Sequence, residues 1–112
     1  MQKLKQKLYL GFLHMHILYH ANKEPFYGVW MMEELKEHGY QIGPSHIYPL
    51  LNSLEKEGLL SVEHKIIDGH QRKYYRITSE GQLVLKDLME KVKELSNELF
   101  DKDFGGTNHA EQ

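Results

Sequence analysis

Residues 43–78, GPSHIYPLLNSLEKEGLLSVEHKIIDGHQRKYYRIT, decide the fold of this chain of 112 residues. Pro44 can open a helix, because proline is favoured in the first helical turn. Two β-rich runs follow, and Asp68-Gly69 between them predicts a two-residue hairpin turn, because both residues tolerate a positive φ. A helix followed by such a two-stranded ribbon, or wing, is typical of a winged helix-turn-helix. The predicted fold class is α+β, mainly α, with a long helix after the wing.

The predicted helix contains a second proline, Pro49, which removes a backbone donor one turn after Pro44. The apolar period still favours a helix, because four residues fall on one side at about 100° per residue: Ile47, Leu50, Leu51 and Leu54. The opposite side holds small or hydrogen-bonding residues: Ser45, Pro49, Asn52 and Lys56. This stripe fits a surface that contacts the base edges of DNA, and it also fits an ordinary solvated face.

The return strand of the ribbon is rich in cations, with Arg72, Lys73 and Arg76 in five residues. Cations at a hairpin tip suit phosphate contact or entry into a minor groove, although they also protect exposed strand edges. The net charge of −2 and pI of about 6.4 count against nucleic-acid binding. The acidic residues, however, gather in the second and last predicted helices. A locally positive face therefore remains compatible with salt-dependent attachment to DNA.

Four segments resemble the PadR family of transcriptional regulators in order and spacing: LGFLHMHILYH (10–20), YGVWMMEELKEHGY (27–40), IYPLLNSLEKEGLL (47–60) and GHQRKYYRITSEG (69–81). The resemblance covers roughly residues 8–90, and its most specific parts are YPLL (48–51) and RKYY (72–75). It implies a homodimeric winged-helix repressor of the short subfamily with a single C-terminal helix. It also implies a recognition helix that tolerates Tyr-Pro, and it raises the expectation of a small molecule that relieves DNA binding.

The DNA-binding residues are predicted from the stripe, the wing and this resemblance. We expect base-edge or nearby contacts from Ser45, His46 and Asn52, and phosphate or sugar contacts from Tyr48 and Lys56. The wing contributes Lys65, His70, Gln71, Arg72 and Lys73. The expected partner is double-stranded DNA with a near-palindromic operator. The alternative is a winged-helix protein-interaction module that binds an acidic partner and not DNA.

The first and last predicted helices point to a homodimer. The first (4–21) is apolar around most of its axis, so one small core can cover only part of it. The last, from a cap at Ser79 or Thr78 to about Asp103, has an apolar heptad seam. The predicted dimerisation residues are Leu8, Phe12, Leu85, Leu88, Val92, Leu95 and Leu99. The predicted units are a winged helix-turn-helix domain (1–78), a dimerisation helix (79–104) and a disordered tail (105–112).

Trp30 falls off the core stripe of the second predicted helix, 27–38, which Gly39 ends. It either packs under the first or last helix or borders a dimer groove, where an aromatic wall would stack a flat effector. Phe100 is the second expected effector contact. Some family members stack such compounds on a tryptophan in the last helix, and this chain has none there.

Three histidines in the first helix, His14, His16 and His20, have no assigned role. His16 and His20 lie one turn apart, as metal ligands would, but no third ligand is visible and a solvated or partner-facing pair is preferred. The chain has no cysteine, no phosphate-cradling glycine loop and no recognisable carboxylate pair, so we expect neither an enzyme nor a cofactor. It also has no apolar run near ~18 residues, so we expect a cytoplasmic protein without a membrane partner.

Overall fold

The computed structural model describes residues 2–101, and the predicted tail (105–112) lies outside them. The elements, in chain order, are α1 (Lys3–Lys23), β1 (Phe26–Tyr27), α2 (Gly28–Glu37), α3 (Pro44–Lys56), β2 (Leu60–Ile67), β3 (His70–Ile77) and α4 (Ser79–Leu99). The α+β, mainly α winged-helix prediction is confirmed, including the C-terminal helix. None of the helices within residues 2–101 is long and apolar enough to cross a membrane.

Helix α3 continues through Pro49, as the apolar period predicts. Pro44 occupies its first turn, and Ile47, Leu51 and Leu54 are buried on its inner side. A proline inside a helix costs about 3 kcal/mol, whereas each fully buried aliphatic side chain contributes about 1.5–3 kcal/mol. Burial of the inner side therefore outweighs the missing hydrogen bond.

The wing, defined from here on as β2 and β3, forms the predicted hairpin. Asp68 and Gly69 have φ values of 51° and 77°, and the strands pair from Leu60 with Ile77 to Ile67 with His70. A third strand, β1, was not predicted from the sequence; it pairs with β3 at Tyr74 and Tyr75 to give the sheet order β1-β3-β2. A strand of two residues is too short to show an alternating pattern.

The core lies between the helices and the inner face of this sheet. Tyr75 is fully buried, and its ring stacks on that of Phe26 with centroids 5.4 Å apart. The other buried apolar residues come from every helix, from β2 and from the connections: Ile17, Leu18, Ala21, Met31, Leu35, Ile42, Ile47, Leu51, Leu54, Leu59, Leu60 and Leu85. The core thus fixes the wing and α3 against the same support.

Thr78 links three elements at the point where the wing ends. Its hydroxyl donates to the carbonyl oxygen of Gly58, after α3, at 2.6 Å and accepts from the backbone N–H of Gly81, in α4, at 2.9 Å. Thr78 is therefore the cap, and the alternative cap at Ser79 is wrong, because Ser79 is already helical. A side chain at Gly81 would meet the Leu59 carbonyl oxygen.

The last helix is shorter than predicted. It ends at Leu99, with Phe100 as its C-terminal cap, and not near Asp103. No basic residue lies in its last turn, and Glu98 and Asp101 place negative charge at the negative end of the helix dipole. The electrostatics of this end therefore disfavour further helical turns.

Candidate nucleic-acid interface

A cleft of about 480 Å³ separates α3 from the wing, and the N-terminus of α2 closes one end of it. Six of the ten predicted DNA-binding residues line it: Tyr48, Asn52, His70, Gln71, Arg72 and Lys73. Residues that lie about twenty positions apart in sequence thus share one concave surface. The helix supplies an aromatic and an amide group, and the wing supplies an imidazole, an amide and two cations.

The outer side of α3 faces solvent, as the stripe predicts. Asn52 and Lys56 are exposed, and Tyr48 is half-buried. Ser45 and His46 are exposed too, but they line a second, largely apolar groove of about 710 Å³ between α3 and α1. The first turn of α3 therefore borders a different groove from Tyr48 and Asn52, although Ser45 and His46 remain exposed to solvent.

Gly28 positions the ring of Tyr48. A β-carbon placed on Gly28 would stand 2.6 Å from Cε1 and 3.0 Å from the hydroxyl oxygen of Tyr48. These distances leave no room for a side chain, so the tyrosine ring rests directly on the first turn of α2. The sequence did not reveal this contact or the contribution of Tyr27 and Val29 to the cleft, because both depend on β1, which holds this end of α2 beside the wing.

The aromatic ring of Tyr74 organises part of the wing. The Lys65 ammonium lies 4.2 Å from its centroid, and the Tyr27 ring packs 4.7 Å away, centroid to centroid. Arg76 lies 5.6 Å from the same ring and pairs with Glu63 at 3.8 Å. Lys65 and Arg76 are therefore held along the strands, and Glu63 partly neutralises Arg76.

Arg72 and Lys73 differ from these two cations. Within residues 2–101, neither forms an ion pair, and both are exposed. The strand register pairs Arg72 with Lys65 and Lys73 with His64. Because successive residues of a strand alternate between faces, the first pair lies on one face of the hairpin and the second pair on the other. Two uncompensated cations near the tip are available for phosphate oxygens on either side of the wing.

A second surface, the apolar face, is formed by α1 and α4. Five of its predicted members are substantially exposed: Leu8 (50%), Phe12 (45%), Val92 (45%), Leu95 (53%) and Leu99 (43%). Leu88 is half-buried. Leu85 departs from the prediction, because it is only 3% exposed and belongs to the core of its own chain.

The two residues expected to bind an effector lie apart in the fold. Trp30 is 44% exposed, and its ring meets the edge of His20 on α1 with centroids 5.9 Å apart. Phe100 is 74% exposed at the end of α4. Neither lines the cleft of about 580 Å³ that α1, α2 and α4 form beside His20.

Known proteins resemble this chain in sequence and structure. The model of the Transcriptional regulator PadR-like family matches residues 17–87. Transcriptional regulator Rv3488 of Mycobacterium tuberculosis is 38% identical over 96 residues, which cover 86% of each chain. A PadR-like transcription factor from Bacteroides fragilis is 32% identical with a TM-score of 0.78, covering 88% of this chain and 96% of that one. A PadR family transcriptional regulator from Eggerthella lenta is 33% identical with a TM-score of 0.76, covering 89% and 91%. The chain belongs to the PadR-like family of transcriptional regulators.

Proposed function

We propose that the chain is a homodimeric transcriptional repressor that binds a near-palindromic DNA operator through α3 and the wing. The observation that supports this most directly is the cleft that Tyr48 and Asn52 of α3 line together with Arg72 and Lys73 of the wing. An amide on a helix suits the edge of adenine, and unpaired cations suit phosphates. The same cleft thus offers both a sequence-reading group and the groups that fix position on the duplex.

The charge distribution supports this proposal despite the net charge of −2. Three carboxylates lie on α2 and five lie on α4: Glu33, Glu34 and Glu37, and Glu80, Asp87, Glu90, Glu94 and Glu98. Attraction to phosphate depends on the local field, because charges farther than about 8–10 Å are largely screened at physiological salt. The wing can therefore attract DNA while the rest of the chain remains acidic.

The apolar face supports the dimeric part of the proposal, with a second copy of this chain as its occupant. Large apolar side chains on both α1 and α4 remain uncovered in the single chain, and a contiguous exposed patch of this kind marks an interaction surface. The seam on α4 is too short to hold two helices alone. Packing α1 and α4 of one protomer against those of its partner would bury both sets together. In such a dimer, two α3 helices about 34 Å apart would reach successive major grooves.

Selection of bound sequences from a random pool of duplex DNA tests this function. We expect an inverted repeat whose half-sites are about one helical turn apart, since a two-fold dimer places two equivalent helices on the duplex. A half-site without a symmetric mate would contradict the dimer, and the absence of any enriched motif would contradict sequence-specific binding.

A protein-interaction module without DNA binding is the second candidate, which the acidic net charge favours. A gel-shift assay with DNA from upstream of the gene that encodes this chain separates the two functions. Binding that weakens as salt rises supports the repressor, because released counterions accompany phosphate contacts. No shift at low salt with a folded protein supports the interaction module.

Relief of repression by a small aromatic effector is a further part of the proposal. The cleft of about 580 Å³ beside His20 is mostly apolar at α4, where Leu85, Met89 and Val92 line it, and Trp30 contacts His20 from outside. Trp30 should therefore report on a ligand in this cleft. A panel of planar aromatic compounds should include one that quenches its fluorescence, and silence across the panel would contradict an aromatic effector.

A further inference from the structure

A cluster of three histidines joins α1 to α2. His16 and His20 lie one turn apart on α1, and His38 follows the last residue of α2. One ring nitrogen of each lies within 4.8 Å of the others. The ring of His38 is 5.0 Å from that of His16 and 5.5 Å from that of His20, centroid to centroid. The fold thus supplies the third imidazole that is not visible in the sequence of α1.

His20 is the least satisfied member of the cluster. The residue is 8% exposed, and its Nε2 atom has no hydrogen-bond partner within residues 2–101. The nearest carboxylate oxygen, Oε2 of Glu34, lies 3.6 Å away, which is too long for a hydrogen bond. Buried polar atoms are normally satisfied, so an unpaired ring nitrogen that faces two other imidazoles and a carboxylate is consistent with coordination of an ion.

Burial also favours the neutral form of two of these histidines, His16 and His20. Burial lowers the pKa of His20, although Glu34 opposes this effect, and burial lowers the pKa of His16, with His38 acting in the same direction. Neutral imidazole is the form that coordinates metals, and it keeps a lone pair on one nitrogen. His16 and His20 therefore favour the form that can coordinate a metal ion.

Glu34 gives this site a fourth oxygen or nitrogen donor. Its Oε2 atom lies 3.3 Å from Nε2 of His38 and 3.6 Å from Nε2 of His20. In a tetrahedral site with bonds of about 2.0–2.1 Å, neighbouring ligand atoms lie roughly 3.4 Å apart. The distances from Glu34 to His20 and His38 already match this ligand-to-ligand distance. The distances between the histidine nitrogens are wider, and rotation of the exposed His38 and half-buried His16 side chains would shorten them.

We propose that His16, His20, His38 and Glu34 bind a divalent first-row transition-metal ion such as Zn²⁺. Three imidazoles and one carboxylate suit Zn²⁺, Co²⁺ or Ni²⁺, whereas Mg²⁺ and Ca²⁺ prefer oxygen ligands alone. The ion would join α1, which bears part of the apolar face, to α2, which leads into α3. This inference is independent of DNA binding, because none of the four side chains lines the cleft between α3 and the wing.

Titration of the full chain with ZnCl₂ and CoCl₂, with MgCl₂ as the negative control, tests this site. Calorimetry should give one Zn²⁺ per chain, and Co²⁺ should develop visible absorption bands of a low-symmetry nitrogen and oxygen site. Thermal unfolding should shift upward with Zn²⁺ and return with a chelator, because an ion that binds only the folded state stabilises it. Mg²⁺ should have no effect.

The variants His16→Gln and His38→Gln test the ligands without altering the buried His20. Each should weaken Zn²⁺ binding at least tenfold, and so should Glu34→Gln, because even loss of a group that only orients a ligand costs roughly 10- to 100-fold. The matched control is His64→Gln, an exposed histidine on the wing, which should bind Zn²⁺ like the parent chain. Circular dichroism in chelator checks that all four remain folded.

Two results would overturn the proposal. One is the absence of Zn²⁺ binding at about 100 μM, which lies above the micromolar range that a specific site of this kind should reach. The other is Zn²⁺ binding that His16→Gln and His38→Gln leave unchanged, because the ion would then bind elsewhere on the chain.

Discussion

The ring of Tyr48 rests on Gly28, and a β-carbon at Gly28 would lie 2.6 Å from Tyr48 Cε1. This contact joins the first turn of α2 to the exposed side of α3 at the mouth of the cleft. Because the glycine lacks a side chain, the ring can lie against the backbone of α2 and line the cleft together with the wing residues. The orientation of a proposed DNA contact therefore depends on a residue in another helix.

Substitution of Gly28 by Ala should displace Tyr48 and weaken DNA binding by roughly tenfold, equal to about 1.4 kcal/mol. The helix itself should tolerate the change, since alanine is the better helix former. A double-mutant cycle with Tyr48→Ala provides the measurement, because Gly28→Ala should have little further effect once the ring is gone. Additive losses in binding would show that Gly28 acts by another route.

Removal of the two unpaired wing cations should weaken binding to all DNA sequences alike. For Arg72→Ala with Lys73→Ala, the slope of log affinity against log salt should become shallower by about 0.9 for each phosphate that no longer has a cation beside it. The matched control is Lys86→Ala with Lys93→Ala, which removes the same charge from the side of α4 opposite the apolar seam. An equal weakening in the two double variants would mean that only net charge matters.

Substitution of Asn52 should alter sequence preference more than overall affinity. An amide that pairs with a base edge contributes about 1–3 kcal/mol of discrimination. We expect Asn52→Ala to relax one position in each half-site of the selected motif while leaving the salt slope unchanged. A motif identical to that of the parent chain would exclude Asn52 from base contact.

A charge in the apolar seam of α4 should prevent dimerisation through the apolar face. Leu95→Glu places a carboxylate among side chains that a partner would cover, and an unpaired buried charge is strongly unfavourable. Analytical ultracentrifugation should show dissociation of the dimer at micromolar concentration. Leu83→Glu is the matched control, because Leu83 is 64% exposed on the opposite side of the same helix. A dimer that survives Leu95→Glu would place the interface elsewhere.

Tyr75 should limit stability in alkali. Burial raises the pKa of Tyr75 to about 12, with Tyr48 and Glu55 adding to the effect. Since the unfolded tyrosine ionises near pH 10, the unfolded state binds fewer protons above that pH, and the free energy of unfolding falls between about pH 10 and 12.

Tyr75→Phe should remove this loss. It should also stabilise the chain by roughly 1 kcal/mol at neutral pH, because the Tyr75 hydroxyl is buried without a hydrogen-bond partner within residues 2–101. Urea unfolding of both chains at about pH 8 and pH 11 measures the difference, which should widen at the higher pH. A constant difference would mean that Tyr75 does not contribute to the alkaline loss.

Local chemistry made most of the fold predictable. The Asp68-Gly69 turn follows from the backbone freedom of two adjacent residues, and the course of α3 follows from its apolar period despite Pro49. Both signals lie within a few residues of the structure that they specify. The resemblance to the PadR family also predicted the order of the elements. The family model that matches residues 17–87 confirmed this resemblance.

The missed features depend on long-range contacts. Strand β1 exists because β3 offers a free edge, and two residues hold no pattern of their own. His38 reaches His16 and His20 only after α1 and α2 pack together, so spacing within α1 could not reveal it. The assignment of Leu85 to the apolar face failed because a heptad seam does not show where the core of the chain itself ends.

We expect Thr78 to influence how far apart the two α3 helices lie in the proposed dimer. Its hydroxyl bonds to Gly58, just after α3, and to Gly81 in the first turn of α4, and Gly81 packs closely on the backbone of Leu59. In the proposed dimer, we therefore expect a change in how two α4 helices meet to alter the positions of both α3 helices. The preferred spacing of the operator would then depend on a threonine that is not among the proposed DNA-binding or dimerisation residues.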